Sequence, residues 1–193
     1  KFVFSPTQSP ENTPGNSNSQ ASFNATMDVA VAKELLTNLI SASRELGRNE
    51  DKIPLWQEML DKMPEYMISD EGVVKEWLTP KLGDALNHRH SSHLYALYDG
   101  INDEIARSPR LQEGFRKIVE IKLEKHYKRA GFMSFGIVQL GQTATSLGEG
   151  ELAYQAVTKM AEAYWLPNLA SMHNRRSLFN MDISGGMPAV IIK

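Results

Sequence analysis

Two acidic residues and one basic stretch are the parts of this chain best suited to chemistry. Glu11 sits in Ser9-Pro10-Glu11-Asn12, and Asp182 in Phe179-Asn180-Met181-Asp182-Ile183-Ser184-Gly185-Gly186. Between them, Leu86-Asn87-His88-Arg89-His90-Ser91-Ser92-His93-Leu94 carries three of the chain's five histidines around an arginine. Burying such a cluster is costly unless each ring and the guanidinium find partners. It reads as a metal site, as histidines satisfied at a helix start that Asn87 caps, or as a polar wall facing a substrate. His88-x-His90 and His90-x-x-His93 could offer imidazoles to zinc, but the spacing matches no strong zinc signature. An acid, a wall of Arg and His donors and a second acid suit the cleavage of a carbohydrate. One carboxylic acid protonates the leaving oxygen, and the other acts as base or nucleophile on the opposite face of the sugar. Trp56, Trp77, Tyr95 and Tyr98 are candidate aromatic faces, Trp77 reading more readily as a packing anchor than as a ligand contact. Taken singly, Glu11 reads as a solvated loop carboxylate and Asp182 as a helix N-cap.

Composition narrows the field. A chain of 193 residues can form one domain and bury about 70% of its unfolded surface. Hydrophobic residues make up 41% and charged residues 23%, as in a globular protein. A net charge of −2 and a pI near 6.2 give no electrostatic footprint for nucleic acid or an anionic membrane. The apolar runs are too short for a membrane span. With no cysteine, disulfides, thiolate metal sites and cysteine nucleophiles are excluded. The chain starts without Met and stops inside the apolar run Met187-Pro188-Ala189-Val190-Ile191-Ile192-Lys193. It therefore reads as a piece of a longer protein.

The elements that must position these residues are helical. Residues 1–25 are rich in Ser, Asn, Pro and Thr and read by composition as a linker. From Thr26, the residues Val31, Leu35, Leu39, Ala42 and Leu46 fall on a helical stripe, with Asp28 in the first turn and Gly47 as C-cap. Residues 53–63 read as a short helix and 64–86 as a long loop broken by Pro64, Gly72, Pro80 and Gly83. A helix is expected after His90 through Leu94, Leu97 and Tyr98. Ser108-Pro109 opens another, reaching about His126. Residues 134–147 and 149–164 read as a helix pair, 166–183 as irregular, with a last helix near Gly186. No segment alternates with period two, so the chain is expected to be all-α. Long loops in such a domain are usually active-site walls or disorder.

The ordered set Ser9-Pro10-Glu11-Asn12, Thr26-Met27-Asp28, Glu76-Trp77-Leu78, Asn87-His88-Arg89-His90-x-Ser92-His93-Leu94 and Asn180-Met181-Asp182-Ile183-x-Gly185-Gly186 resembles glycoside hydrolase family 95 over nearly the whole chain. That family contains inverting α-L-fucosidases and related α-L-galactosidases. The resemblance implies a catalytic domain built as an (α/α)6 barrel of helical hairpins, with residues 1–193 as its C-terminal portion. By position, Glu11 matches the general acid and Asp182 the base. Arg89 and His90, with His88 beside them, match residues that line the sugar pocket. A pair of water-orienting asparagines would lie upstream of residue 1.

The resemblance implies no cofactor and no metal. The implied partners are an oligosaccharide from a plant or host glycan and the remainder of the parent catalytic chain, without nucleic acid. The implied setting is the bacterial periplasm or outside the cell. Residues 1–193 alone are expected to be inactive, since a site whose groups act as a unit fails when one is missing. Two departures bear on the identity of the sugar: the family's usual Gly-Asn-Phe-Gly after the aspartate is Ile183-Ser184-Gly185-Gly186, and its Trp-rich helix is Phe132-Met133-Ser134-Phe135-Gly136. A galactoside and a fucoside differ by one hydroxyl at C6, which a polar pocket can discriminate. The competing reading is a non-enzymatic α-helical repeat or interaction module, although no self-similar period is present.

Overall fold

The structure, a computed structural model, describes residues 1–128, 133–174 and 177–193. Phe132, part of the stretch read as shaping the pocket, and residues 175–176, inside the segment read as irregular, lie outside the described residues. Seven α-helices are present among the described residues: α1 (Thr26–Leu46), α2 (Ile53–Asp61), α3 (Asp103–Ala106), α4 (Pro109–Lys128), α5 (Ser134–Ser146), α6 (Gly150–Tyr164) and α7 (Asp182–Ile192). Two three-residue strands, β1 (Met172–Asn174) and β2 (Ser177–Phe179), pair antiparallel with Met172 opposite Phe179. The fold is thus mostly helical. The hairpin corrects the expectation of an irregular 166–183, because three-residue strands are too short to show an alternating pattern. Among the described residues no helix is long and apolar enough to cross a membrane.

Local signals account for most boundaries. Gly47 ends α1 at φ +62°, a left-handed conformation that glycine adopts without steric cost. The Ser108 hydroxyl accepts the Leu111 amide at 3.3 Å, and Pro109 follows as the first helical residue. The helix expected after His90 is a 3-10 turn over Ser92–Leu97, which buries Ser92, His93, Leu94 and Leu97. α7 begins at Asp182, four residues before the expected Gly186.

The burial of α1 differs from the expected stripe. Val29, Ala30, Leu36, Ile40 and Ser43 face the interior, while Val31, Leu35 and Leu46 are exposed. The helix is apolar on two sides, and periodicity alone does not say which one is covered. Residues 1–25 are not a free linker either. Thr7 and Ser22 exchange backbone hydrogen bonds at 3.0 and 2.9 Å, and the Gly15 amide donates to the Gly83 carbonyl at 2.8 Å. Thr7, Ser9 and Asn12 are buried, and the side chains of Ser9 and Asn12 are bound by Glu76.

The core gathers around α5, which packs on α4, α6, α7 and the 92–97 turn. Phe115, Ile118, Val119, Ile137, Leu140, Ala156, Met160 and Ile183 form its buried centre. Two glycines let α5 and α7 approach closely. A Cβ on Gly186 would lie 2.4 Å from Val138 Cγ2, and one on Gly141 would lie 2.8 Å from Val190 Cγ2. This contact sets where the first residue of α7, Asp182, stands. Gly186→Ala should therefore overpack the interface, at a cost of about 1–3 kcal/mol that the higher helix propensity of Ala offsets by about 1 kcal/mol. Denaturant unfolding should show a net loss, and Gly186→Ala combined with Val138→Ala should lose less than the sum of the two single variants. Strict additivity would mean that the two positions do not touch.

Candidate active site

Glu11 lies exposed at the turn of the N-terminal loop, between half-buried Pro10 and buried Asn12. The Ser9 hydroxyl donates to Glu76 Oε1 at 2.6 Å and the Asn12 amide donates to Glu76 Oε2 at 2.7 Å. The Pro10 carbonyl accepts the Ser92 hydroxyl at 2.6 Å and faces His90 Nδ1 at 3.2 Å. A carbonyl only accepts, so the His90 proton sits on Nδ1. Glu11 itself accepts a hydrogen bond from the Arg89 guanidinium through Oε2. The structure thus brings together Glu11, Arg89 and His90, which stand almost eighty residues apart in sequence.

The loop carrying Arg89 is held from behind. Lys122 Nζ donates to the His88 carbonyl at 3.1 Å and the His90 carbonyl at 2.6 Å. Gln139 Oε1 accepts the Ser91 amide at 2.6 Å, and the Tyr98 hydroxyl donates to the Ser91 carbonyl at 2.8 Å. α5 passes so close that a Cβ on Gly136 would stand 2.1 Å from the Arg89 carbonyl oxygen. Only glycine permits that approach.

The three clustered histidines do not converge. His90 sets Nδ1 toward Pro10 and Nε2 against Met133 Sδ at 3.1 Å, so both ring nitrogens engage protein atoms. His93 is fully buried, with Nδ1 3.8 Å from Glu76 Oε2. His88 Nδ1 accepts the His90 amide at 3.2 Å. Burial first, and the neighbouring His90 next, push His88 down to about 4. Burial likewise lowers His90, and it lowers His93 much further. At neutral pH these rings are uncharged, and Arg89 is the cation beside Glu11. Among the described residues no group of three His, Cys, Asp or Glu side chains is placed to hold a metal ion.

Asp182 approaches from the other side. Asn180 grips it twice: Nδ2 donates to Asp182 Oδ2 at 2.6 Å, and Oδ1 accepts the Asp182 amide at 2.6 Å. The Ser134 hydroxyl lies 3.4 Å from the same Oδ2. The link to Glu11 runs through the start of α5. Arg89 Nε donates to Met133 Sδ at 3.2 Å, and the next residue, Ser134, reaches Asp182. The chain Glu11, Arg89, Met133-Ser134, Asp182 is therefore continuous through space.

The aromatic candidates fall elsewhere. Trp77 is fully buried, its indole nitrogen donating to the Ser22 hydroxyl at 3.0 Å, so it is a packing anchor. Trp56 rides on α2, which packs on α1. Tyr95 and Tyr98 line a cavity of about 730 Å³ with Lys33, Glu34 and Asp99, and that cavity contains neither Glu11 nor Asp182. Glu76, Asn180 and Ser134 stand in motifs quoted from the sequence but without an assigned role, and Lys122 is not among the candidates. The signal for Lys122 was available: it stands on the stripe of Phe115, Ile118 and Val119, where a lysine is buried only if something inside requires it.

Comparison with known proteins agrees with this arrangement of motifs. The family model described as "Glycosyl hydrolase family 95 catalytic domain" matches residues 1–193. The chain is similar to alpha-L-fucosidase 2 of Arabidopsis thaliana, 34% identical over 127 residues. That alignment covers 62% of this chain and 14% of the plant protein, so the chain spans only a small part of the curated relative it matches. With the family model matched from the first residue to the last, the chain belongs to glycosyl hydrolase family 95.

Proposed function

We propose that these residues form part of the catalytic domain of an inverting glycoside hydrolase that removes terminal α-L-fucosyl or α-L-galactosyl groups from oligosaccharides. One observation carries this reading: Glu11 and Asp182 approach the Arg89–Met133–Ser134 bridge from opposite ends. The name of the plant relative favours the fucoside. In this reading, Glu11 gives a proton to the glycosidic oxygen as the bond from C1 breaks. A water attacks C1 from the opposite face and loses a proton to Asp182. Asn180 and Ser134 occupy Asp182 Oδ2, which leaves Oδ1 to receive that proton. Transfer of protons back through solvent restores both groups.

Arg89 and the Nε2–H of His88, whose Nδ1 accepts the His90 amide, donate to sugar hydroxyls, while His90 braces them from behind. The guanidinium leaves Glu11 for the sugar on binding, since a carboxyl about to donate its proton is not served by a cation on the same oxygen. The exposed Val31, Leu35 and Leu46 of α1 and the exposed Ile191 and Ile192 of α7 are the faces that the rest of an (α/α)6 barrel would cover.

Glu11→Gln and Asp182→Asn should each lower kcat on an α-L-fucoside about 10²–10⁴-fold with stability nearly unchanged, measured in a protein carrying the complete catalytic domain. Residues 1–193 purified alone should be inactive. A variant at either position with near-parental turnover would remove that residue from the mechanism.

The histidines give a pH signature. The folded-state value of His88 is about 4, below the ordinary 6.5, so its ring stays neutral from about pH 5 to 8. Protonation would place a hydrogen on Nδ1, break its bond from the His90 amide and add a cation beside Arg89, which displaces the ring and weakens binding as pH falls. Calorimetric affinity of the Asp182→Asn protein for L-fucose should therefore be flat down to about pH 5 and fall below it. A loss centred near pH 6.5 would mean that an ordinary histidine touches the sugar.

A further inference from the structure

We infer that Glu76 is the positioning residue for the Glu11 loop, holding the general acid in line with the bond it protonates. The inference rests on the proposed role of Glu11. Glu76 follows Lys75 in the middle of the long 64–86 loop, beside the buried Trp77, and is itself 1% exposed. Its two carboxylate oxygens accept from the residues that bracket Pro10-Glu11: Ser9 Oγ on one side at 2.6 Å, Asn12 Nδ2 on the other at 2.7 Å. The four-residue turn is therefore pinned at both ends by one side chain. The backbone of the same residue takes part, since the Glu76 carbonyl accepts the Thr26 amide at 3.0 Å and its amide donates to Asp84 Oδ1 at 2.8 Å.

Asn12 is fixed in its orientation. Its Oδ1 already accepts the Thr13 amide at 2.9 Å, so its Nδ2 must face Glu76. A carboxylate accepts from both partners at once; a glutamine keeps one acceptor for Asn12 and keeps Ser9 only if that hydroxyl turns round to accept. Lys122, also 1% exposed, holds the His88 and His90 carbonyls from the same interior, and its field favours the charged form of Glu76. Two buried groups of opposite charge thus hold the loop of the acid and the loop of the arginine, one each. Glu76 does not point at the reacting atoms. It acts through Glu11.

Leaving-group dependence tests this. A glycosidase with a misplaced acid fails on substrates whose leaving group needs a proton and keeps its rate on those whose leaving group does not. Glu76→Gln and, as control, Glu11→Gln would be assayed in the complete catalytic domain on a fucosyl disaccharide and on an α-L-fucoside of a strongly acidic nitrophenol. Both variants should lose about 10²-fold or more in kcat on the disaccharide, with KM little changed, and far less on the nitrophenyl substrate. Equal losses on the two substrates for Glu76→Gln, with the selective loss kept in Glu11→Gln, would overturn the positioning role and leave the acid in place. Equal losses in Glu11→Gln itself would remove the acid assignment and this inference with it. Should Glu76→Gln fail to fold, Ser9→Ala, which removes one donor and leaves Glu76 intact, is read the same way. A selective loss there supports the role, and an unselective one overturns it.

Discussion

A carboxylate and an ammonium group buried together beneath two loops are the constraint on which the rest of this structure depends. Glu76 and Lys122 are each 1% exposed. Leaving either unpaired in an apolar interior would cost several kcal/mol. Burial pushes Glu76 up from the ordinary carboxylate range, against the field of Lys122, and pushes Lys122 down to about 8, against the field of Glu76. Such buried charged groups are tolerated only when their hydrogen-bonding capacity is filled. Here it is filled by Ser9, Asn12 and two loop carbonyls. The need to satisfy a buried charge is thereby converted into the placement of Glu11 and Arg89.

The second carboxylate is placed by packing rather than by charge. Gly186 of α7 meets Val138 of α5, Gly141 of α5 meets Val190 of α7, and Gly136 lets the Arg89 loop settle against the first turn of α5. The Arg89 loop and α7 therefore both pack on one helix. Met133 sits at the junction, touching Arg89 and His90 through its sulfur. A flexible thioether fits that irregular gap without fixing a geometry of its own.

What could be read from residues alone followed the range of the interactions involved. Helix ends governed by adjacent residues, Gly47 and Ser108-Pro109, were legible. The contact of Glu11 with Arg89 joins two of the motifs singled out in the sequence. The covered face of α1 was not legible: Val31 and Leu35 are as apolar as Val29 and Leu36, and only the neighbours decide. The order in residues 1–25 was hidden because Ser9 and Asn12 find their acceptor 67 and 64 residues away, and composition sees no such partner. Asn180 stood two residues before Asp182 in a motif already singled out, yet its double grip depends on the turn that starts α7.

Whether Glu11 and Asp182 face one sugar from opposite sides is decided by a crystal structure of the complete catalytic domain with an uncleaved fucoside bound to the Asp182→Asn variant. The expected result has the Glu11 carboxyl and the substituted side chain at position 182 flanking C1 of the sugar. The two groups should stand about 6.5–9.5 Å apart, with a water between position 182 and C1. A sugar bound elsewhere, or a separation of more than about twice that range, would contradict it.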